Sequence, residues 1–150
     1  MVRVAGANFR VRTDDKVSAE IVALPIEQVW RALPAAFDSL GLAPTLADRA
    51  TWRYGTEGQR LRKRLGGVAL SRYFDCGATQ VDNNADSYDV LLILVARLAP
   101  GAAGTTTVEV TMDVRARPLT FPQGYQPCDT KGTLDARLVT LIRDAALRLP

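Results

Sequence analysis

The pattern of apolar and polar positions is most regular between residues 87 and 117. Tyr88–Leu98 is an unbroken β-rich run. Thr105–Ala116 alternates, with Val108, Val110, Met112, Val114 and Ala116 set against Thr107, Glu109, Thr111, Asp113 and Arg115. A period of two is what a strand with one wet face requires. The joining segment Ala99–Gly104 contains Pro-Gly, so the two runs predict a long β-hairpin. Its first strand is apolar on both faces, with Leu91, Ile93 and Val95 opposite Val90, Leu92 and Leu94. Such a strand is expected at the centre of a sheet, covered on both sides.

The same reading extends along the chain. Residues 1–15 read as an irregular lead-in with a short strand at Asn8–Thr13, and 16–150 as one domain. Lys16–Ala23 alternates, which predicts a half-buried strand with Val17, Ala19, Ile21 and Ala23 inward. Pro25–Leu40 repeats Ile26, Val29, Trp30, Leu33, Phe37 and Leu40 at helical spacing. Pro25 suits the first helical position and Gly41 the residue after the last. Pro34 removes a mid-helix hydrogen bond, so a bent helix or two short ones are expected. Leu42–Ala47 and Ala50–Tyr54 read as short strands, and Arg60–Leu65 as another. Ser71–Asp75 reads as a helical turn and Gly77–Asp86 as a polar loop. Pro118–Pro127 reads as a second loop. Thr133–Leu149 is an amphipathic helix with Thr133 as its cap. The order of elements predicts an α+β fold. A curved antiparallel sheet would carry a bent N-terminal helix and a long C-terminal helix on one face.

Composition narrows the chemistry. The chain has 150 residues, 47% apolar and 23% charged, the profile of one globular domain. It contains no histidine, the side chain most used for proton transfer near neutral pH and for metal binding. No paired carboxylates, activated nucleophile or phosphate-cradling glycine loop is visible. An enzyme is therefore not expected, nor a metal or cofactor. The net charge is +3. Most of the excess lies between Arg49 and Arg72, where Arg53, Arg60, Arg62, Lys63 and Arg64 form a candidate basic patch. Trp52, Tyr54, Tyr73 and Phe74 stand nearby, an arrangement that can stack single-stranded nucleic acid. A solvated face is the simpler reading, and a nucleic-acid partner is not expected.

The two cysteines are the most specific chemistry in the sequence. Cys76 precedes the hairpin and Cys128 follows it, both in irregular segments. A Cys76–Cys128 disulfide is expected, with two unrelated thiols as the alternative. The bridge would close a loop of about 50 residues and place the protein outside a reducing cytosol, periplasmic or secreted. No segment has the apolar length to span a bilayer as a helix. Membrane attachment would then require a lipid anchor outside this sequence.

The element order is similar to the helix-grip fold, in which a curved sheet wraps the last helix. Ala23-Leu24-Pro25-Ile26-Glu27-Gln28-Val29-Trp30 resembles the first helix of polyketide-cyclase/START-like proteins. That likeness implies a hydrophobic ligand held between sheet and C-terminal helix. The same stretch, continued through Leu40-Gly41-Leu42, looks like the domain of lipoproteins attached to the outer-membrane β-barrel assembly machinery. That likeness implies an accessory binding module. Asp75-Cys76-Gly77, and Cys128 followed by Thr130, Gly132, Leu134 and Asp135, resemble uncharacterised bacterial secreted or lipoprotein-type domains. No functional residue carries over from any of these.

Two functions are consistent with these features. One is a non-enzymatic extracytoplasmic binding or scaffold domain. It would meet a protein partner or a second copy through Leu91, Ile93 and Val95. The other is a carrier of a small apolar ligand, in a pocket lined by Trp30, Leu92, Val110, Met112, Leu138 and Ile142.

Overall fold

The computed structural model describes residues 16–120 and 124–149. The lead-in and the Asn8–Thr13 strand expected at the N-terminus lie outside the described residues. In chain order the elements are β1 (Lys16–Val22), α1 (Ile26–Ser39), β2 (Leu46–Asp48), β3 (Arg53–Leu61), β4 (Arg64–Leu65), β5 (Val68–Ala69) and β6 (Phe74–Asp75). They continue with α2 (Asn84–Ser87), β7 (Asp89–Pro100), β8 (Thr106–Arg117), β9 (Gln126–Pro127), β10 (Asp129–Thr130) and α3 (Thr133–Leu147).

The fold is α+β. The main sheet is antiparallel in the order β1-β8-β7-β3-β2, with β9 added beside β8. The hairpin expected from the sequence is its spine: β7 and β8 pair without a break from Asp89–Arg117 to Pro100–Thr106. β7 is central, flanked by β3 and β8. Even-numbered β7 residues, Leu92, Leu94, Ala96 and Leu98, are fully buried. They form one contiguous core with Val108, Val110, Met112 and Val114 of β8, and with residues of α1 and α3.

Pro34 does not split α1, which runs unbroken for 14 residues. Its apolar side, Val29, Ala32, Leu33, Ala36 and Phe37, is buried, while Pro34 faces solvent. On that side the lost bond leaves a carbonyl that water can reach, and the opposite packing face stays intact. Pro25 is extended, with ψ 150°, and precedes the helix instead of opening it. Gly41, φ +73°, ends it as expected: Gly41 N–H donates to Asp38 O and Leu42 N–H to Phe37 O, the paired closure of a helix terminus. Thr133 is not the cap of α3. Gly132 takes that position in a left-handed conformation, and the Thr133 hydroxyl donates to Arg72 O at 2.9 Å.

The alternation in β1 faces the other way from the expectation. Val17 is 50% and Ile21 66% exposed, whereas Val22 is fully buried. The pairing explains this. Ser18 and Glu20 lie opposite Val110 and Val108, whose side chains are core, so the even positions share the helix-bearing side. The odd positions pair with Thr107, Glu109 and Thr111 on the opposite face.

The separate strands expected at Ala50–Tyr54 and Arg60–Leu65 are also different. One nine-residue strand, β3, spans most of that region, with a bulge between Thr56 and Gln59. Gly55 is a close-contact residue and not a breaker: a Cβ there would stand 2.1 Å from Leu94 O and 2.7 Å from Val95 Cα. Beyond Leu61 the chain turns through Lys63, φ +68°, into the small β4–β5 hairpin. The helical turn expected at Ser71–Asp75 is a 3-10 turn at Leu70–Arg72 followed by β6. The polar loop before the hairpin contains the one-turn helix α2.

Candidate functional site

Alternation along β7 fixes what each face of the sheet presents. With the even positions committed to the core beneath α1 and α3, Leu91, Ile93 and Val95 must lie on the outer face. Among the described residues no helix covers that face. Val95 is nonetheless 4% exposed, while Leu91 and Ile93 are half-buried.

The two neighbouring strands frame this row unequally. On the β3 side, Gly55 lies opposite Val95, and Gly58 in the bulge stands beside Leu91. Glycine offers no side chain to overhang the row. Gly58 is exposed, whereas Gly55 and Val95 are both buried, so the row is open only toward Leu91 and Ile93. On the β8 side, Thr111, Asp113 and Arg115 stand opposite Val95, Ile93 and Leu91. Arg60 completes the frame across from Leu91. The result is a short apolar furrow with arginines on both sides of one end.

That end is braced by charge. Arg115 Nε donates to Asp113 Oδ1 at 3.2 Å. Asp89, only 8% exposed, accepts from the Tyr125 hydroxyl at 2.7 Å and from Arg117 Nε at 3.3 Å. The Arg117 guanidinium sits 4.5 Å from the Tyr125 ring centre, in cation–π range. Burial raises the Tyr125 pKa, helped by its hydrogen bond to the Asp89 carboxylate, while Arg117 and Arg60 act the other way. Each carboxylate here has an arginine partner, so the arrangement suits recognition better than proton transfer. Among the described residues no group of three or more His, Cys, Asp or Glu side chains is placed to hold a metal.

The remaining candidate positions are spread through the molecule. Leu92, Val110, Met112, Leu138 and Ile142 are 0–3% exposed within the contiguous core. Trp30 is half-buried and packs edge-on against Trp52 and Tyr54, at 5.7 and 6.0 Å between ring centres. A surface depression of about 590 Å³ lies elsewhere, between Pro34, Ala35 and Asp38 of α1 and Leu42–Pro44, with Tyr54 in its lining. Tyr54 is held above its ordinary pKa by burial and then by the Asp38 charge. The basic segment divides. Arg53 opens β3, Arg60 joins the outer face, and Arg62 is exposed on the turn. Lys63 and Arg64 share a hollow of about 230 Å³ with Asp82 and Asp86. Nearby acids thus offset part of that charge.

Cys76 and Cys128 are joined, with Cα atoms 4.5 Å apart. The bridge ties the end of β6 to the start of β10, which pair antiparallel through Asp75–Asp129 and Phe74–Thr130. Lys131 N–H donates to Tyr73 O at 3.0 Å and Cys128 N–H to Val114 O at 2.8 Å, so the same junction anchors α3 and β8.

Asp89, Arg115, Arg117 and Tyr125 did not stand out in the sequence. The hairpin register was the available signal, because it sets Asp89 against Arg117. The sequence placed the turn too early to show that pair, and Tyr125 lay in an apparent loop.

No family model and no curated protein matches the sequence. Among solved structures, the chain is similar to the crystal structure of a TBP-like protein from Parabacteroides distasonis ATCC 8503, with 11% identity, a TM-score of 0.45, and coverage of 94% of this chain and 98% of that one.

Proposed function

We propose that the protein is a non-enzymatic binding or scaffold domain of an oxidising, extracytoplasmic compartment, meeting a protein partner through the outer face of its sheet. The observation that carries the reading is the furrow at Leu91 and Ile93. Two large aliphatic side chains stay half-open on a face that no described helix covers, between Arg60 and Arg115. Aliphatic centres ringed by arginine are the composition of protein-recognition patches. The disulfide supports the compartment, since such a bridge persists where thiols are not kept reduced. A lipid-anchored or outer-membrane assembly role is the finer version of the same reading. The carrier alternative has less behind it, because most of its proposed lining is packed as core.

The test is site-specific photo-crosslinking in the native compartment. A photoreactive residue at Ile93 is expected to give one discrete adduct, absent when the probe stands at the exposed Leu119 and lost on Leu91→Arg. Equal labelling from both positions would count against the furrow. Thiol alkylation of the protein as isolated checks the compartment: two free cysteines would remove it.

A further inference from the structure

The depression beside α1 has apolar walls and acceptors of one sign. Pro34 and Asp38 stand one helical turn apart on α1 and share one wall. The segment from Leu42 to Pro44 forms another, strapped to β3. Ala43 N–H donates to Gln59 Oε1 at 2.9 Å, and Gln59 Nε2 donates to Gly41 O at 3.1 Å. Tyr54 of β3 completes the lining. Its ring is enclosed edge-on by Phe37 and Trp30, at 5.0 and 6.0 Å between ring centres. Tyr54 is only 6% exposed, yet its hydroxyl is neither sealed from solvent nor hydrogen-bonded among the described residues. What surface it keeps is at that hydroxyl, in the depression. A buried phenol ordinarily has a partner, so this one is open to a partner from outside.

The charge of that partner follows from Asp38. It is the charged member of the lining, and its carboxylate has no hydrogen bond or ion pair among the described residues. Its field reaches the Tyr54 hydroxyl, adding to the effect of burial there. Asp38 also stands in the last turn of α1, where the helix end is partly negative and a cation is the stabilising occupant. No basic side chain stands in that turn. The described ends of the chain lie elsewhere. β1 is three strands away from β3, and the end of α3 packs at the other end of α1, where Gln28 Nε2 donates to Ala146 O. We propose that this depression binds a small organic cation, a primary ammonium on an apolar stem. The ammonium donates to the Asp38 carboxylate and the Tyr54 hydroxyl, and its third N–H faces water. The stem lies along Pro34, Leu42 and Pro44. The volume of about 590 Å³ is that of a small-ligand site, which favours a free amine over a protein surface.

This inference stands on the helix-bearing side of the sheet and not on the Leu91–Ile93 furrow, and the experiment separates the two. Hexylamine is titrated into the full chain near pH 7, where the amine and Asp38 are both charged, and amide shifts are followed by nuclear magnetic resonance. Saturating shifts confined to Gly41, Leu42, Ala43 and Tyr54 are expected, with Kd on the order of 1 mM for so small a ligand. Hexanol, of the same length but neutral, is expected to bind more weakly. Asp38→Asn should weaken hexylamine by about three- to tenfold and leave hexanol unchanged, a split that a merely structural role would not produce. Tyr54→Phe should weaken hexylamine by about threefold while Tm holds, because the hydroxyl it removes has no partner to lose. Ile93→Arg should change nothing at this site. Shifts that do not saturate, hexanol binding as tightly as hexylamine, or an Asp38→Asn protein that binds hexylamine as the wild type does would each overturn the proposal. A short lysine peptide binding tenfold more tightly than hexylamine would also overturn it, assigning the depression to protein docking instead.

Discussion

Removing the disulfide with Cys76→Ala and Cys128→Ala together perturbs one covalent constraint and leaves its surroundings in place. The β6–β10 pairs remain, as do the bonds from Lys131 N–H to Tyr73 O and from Cys128 N–H to Val114 O. The folded state is therefore expected to persist, and most of the effect falls on the unfolded chain. The two cysteines are 52 residues apart. In the chain-entropy treatment a loop of that size accounts for about 4 kcal/mol at 25 °C. That is a large share of the roughly 5–15 kcal/mol that holds a domain folded. A domain of 150 residues shifts by about 2–4 °C per kcal/mol, so Tm should fall by roughly 8–16 °C. Denaturant titration followed by circular dichroism should show the same loss, with a larger slope because the released chain exposes more surface. Native-like near-ultraviolet dichroism at 20 °C is expected in the double variant. A Tm shift below about 3 °C would refute the reasoning, since the bridge would then close a loop already constrained when unfolded.

Other consequences are checked in the same way. Gly55→Ala should cost about 3 kcal/mol in denaturant titration, because its Cβ would meet Leu94 O and Val95 Cα; Gly67→Ala, with open space but φ +78°, should cost only about 1–2. Phe37→Ala should cost about 3–5 kcal/mol, since Phe37 is fully buried and sits 5.0 Å from the Tyr54 ring. Thr56→Val should be neutral or stabilising by up to about 1 kcal/mol, because Thr56 is 1% exposed and its buried hydroxyl has no hydrogen-bond partner among the described residues. Tyr54 and Tyr125 carry raised pKa values in the folded protein, so their contribution is complete below the ordinary tyrosine pKa and is lost as pH rises through the folded values. Ultraviolet titration should show these two ionising late, and Tyr54→Phe should make unfolding above about pH 10 less steep.

The sequence by itself determined what depends on local period and backbone chemistry. The hairpin, both long helices and the Gly41 closure were legible because an alternation of two, a spacing of three and four, and a left-handed glycine each have one favourable solution. The central place of β7 was legible for a related reason: apolar side chains on both faces are tolerable only where neighbours flank the strand. The cysteine pair was legible because both residues flank that hairpin in irregular chain.

Tertiary structure decided which way each pattern faces. Period two says that the faces of β1 differ, but its register against β8 selects the buried one, and it selected Val22 over Val17 and Ile21. The strands at Ala50–Tyr54 and Arg60–Leu65 looked separate, because sequence does not show that Gly55 lies against the backbone of Leu94 and Val95 inside one continuous strand. The furrow frame was hidden for the same reason. Asp89, Arg117 and Tyr125 come from three segments, and only the full hairpin register brings their charges together. Local preference acts on neighbours in the chain. Which face each side chain takes is set by pairing between distant segments, whose register packing chooses.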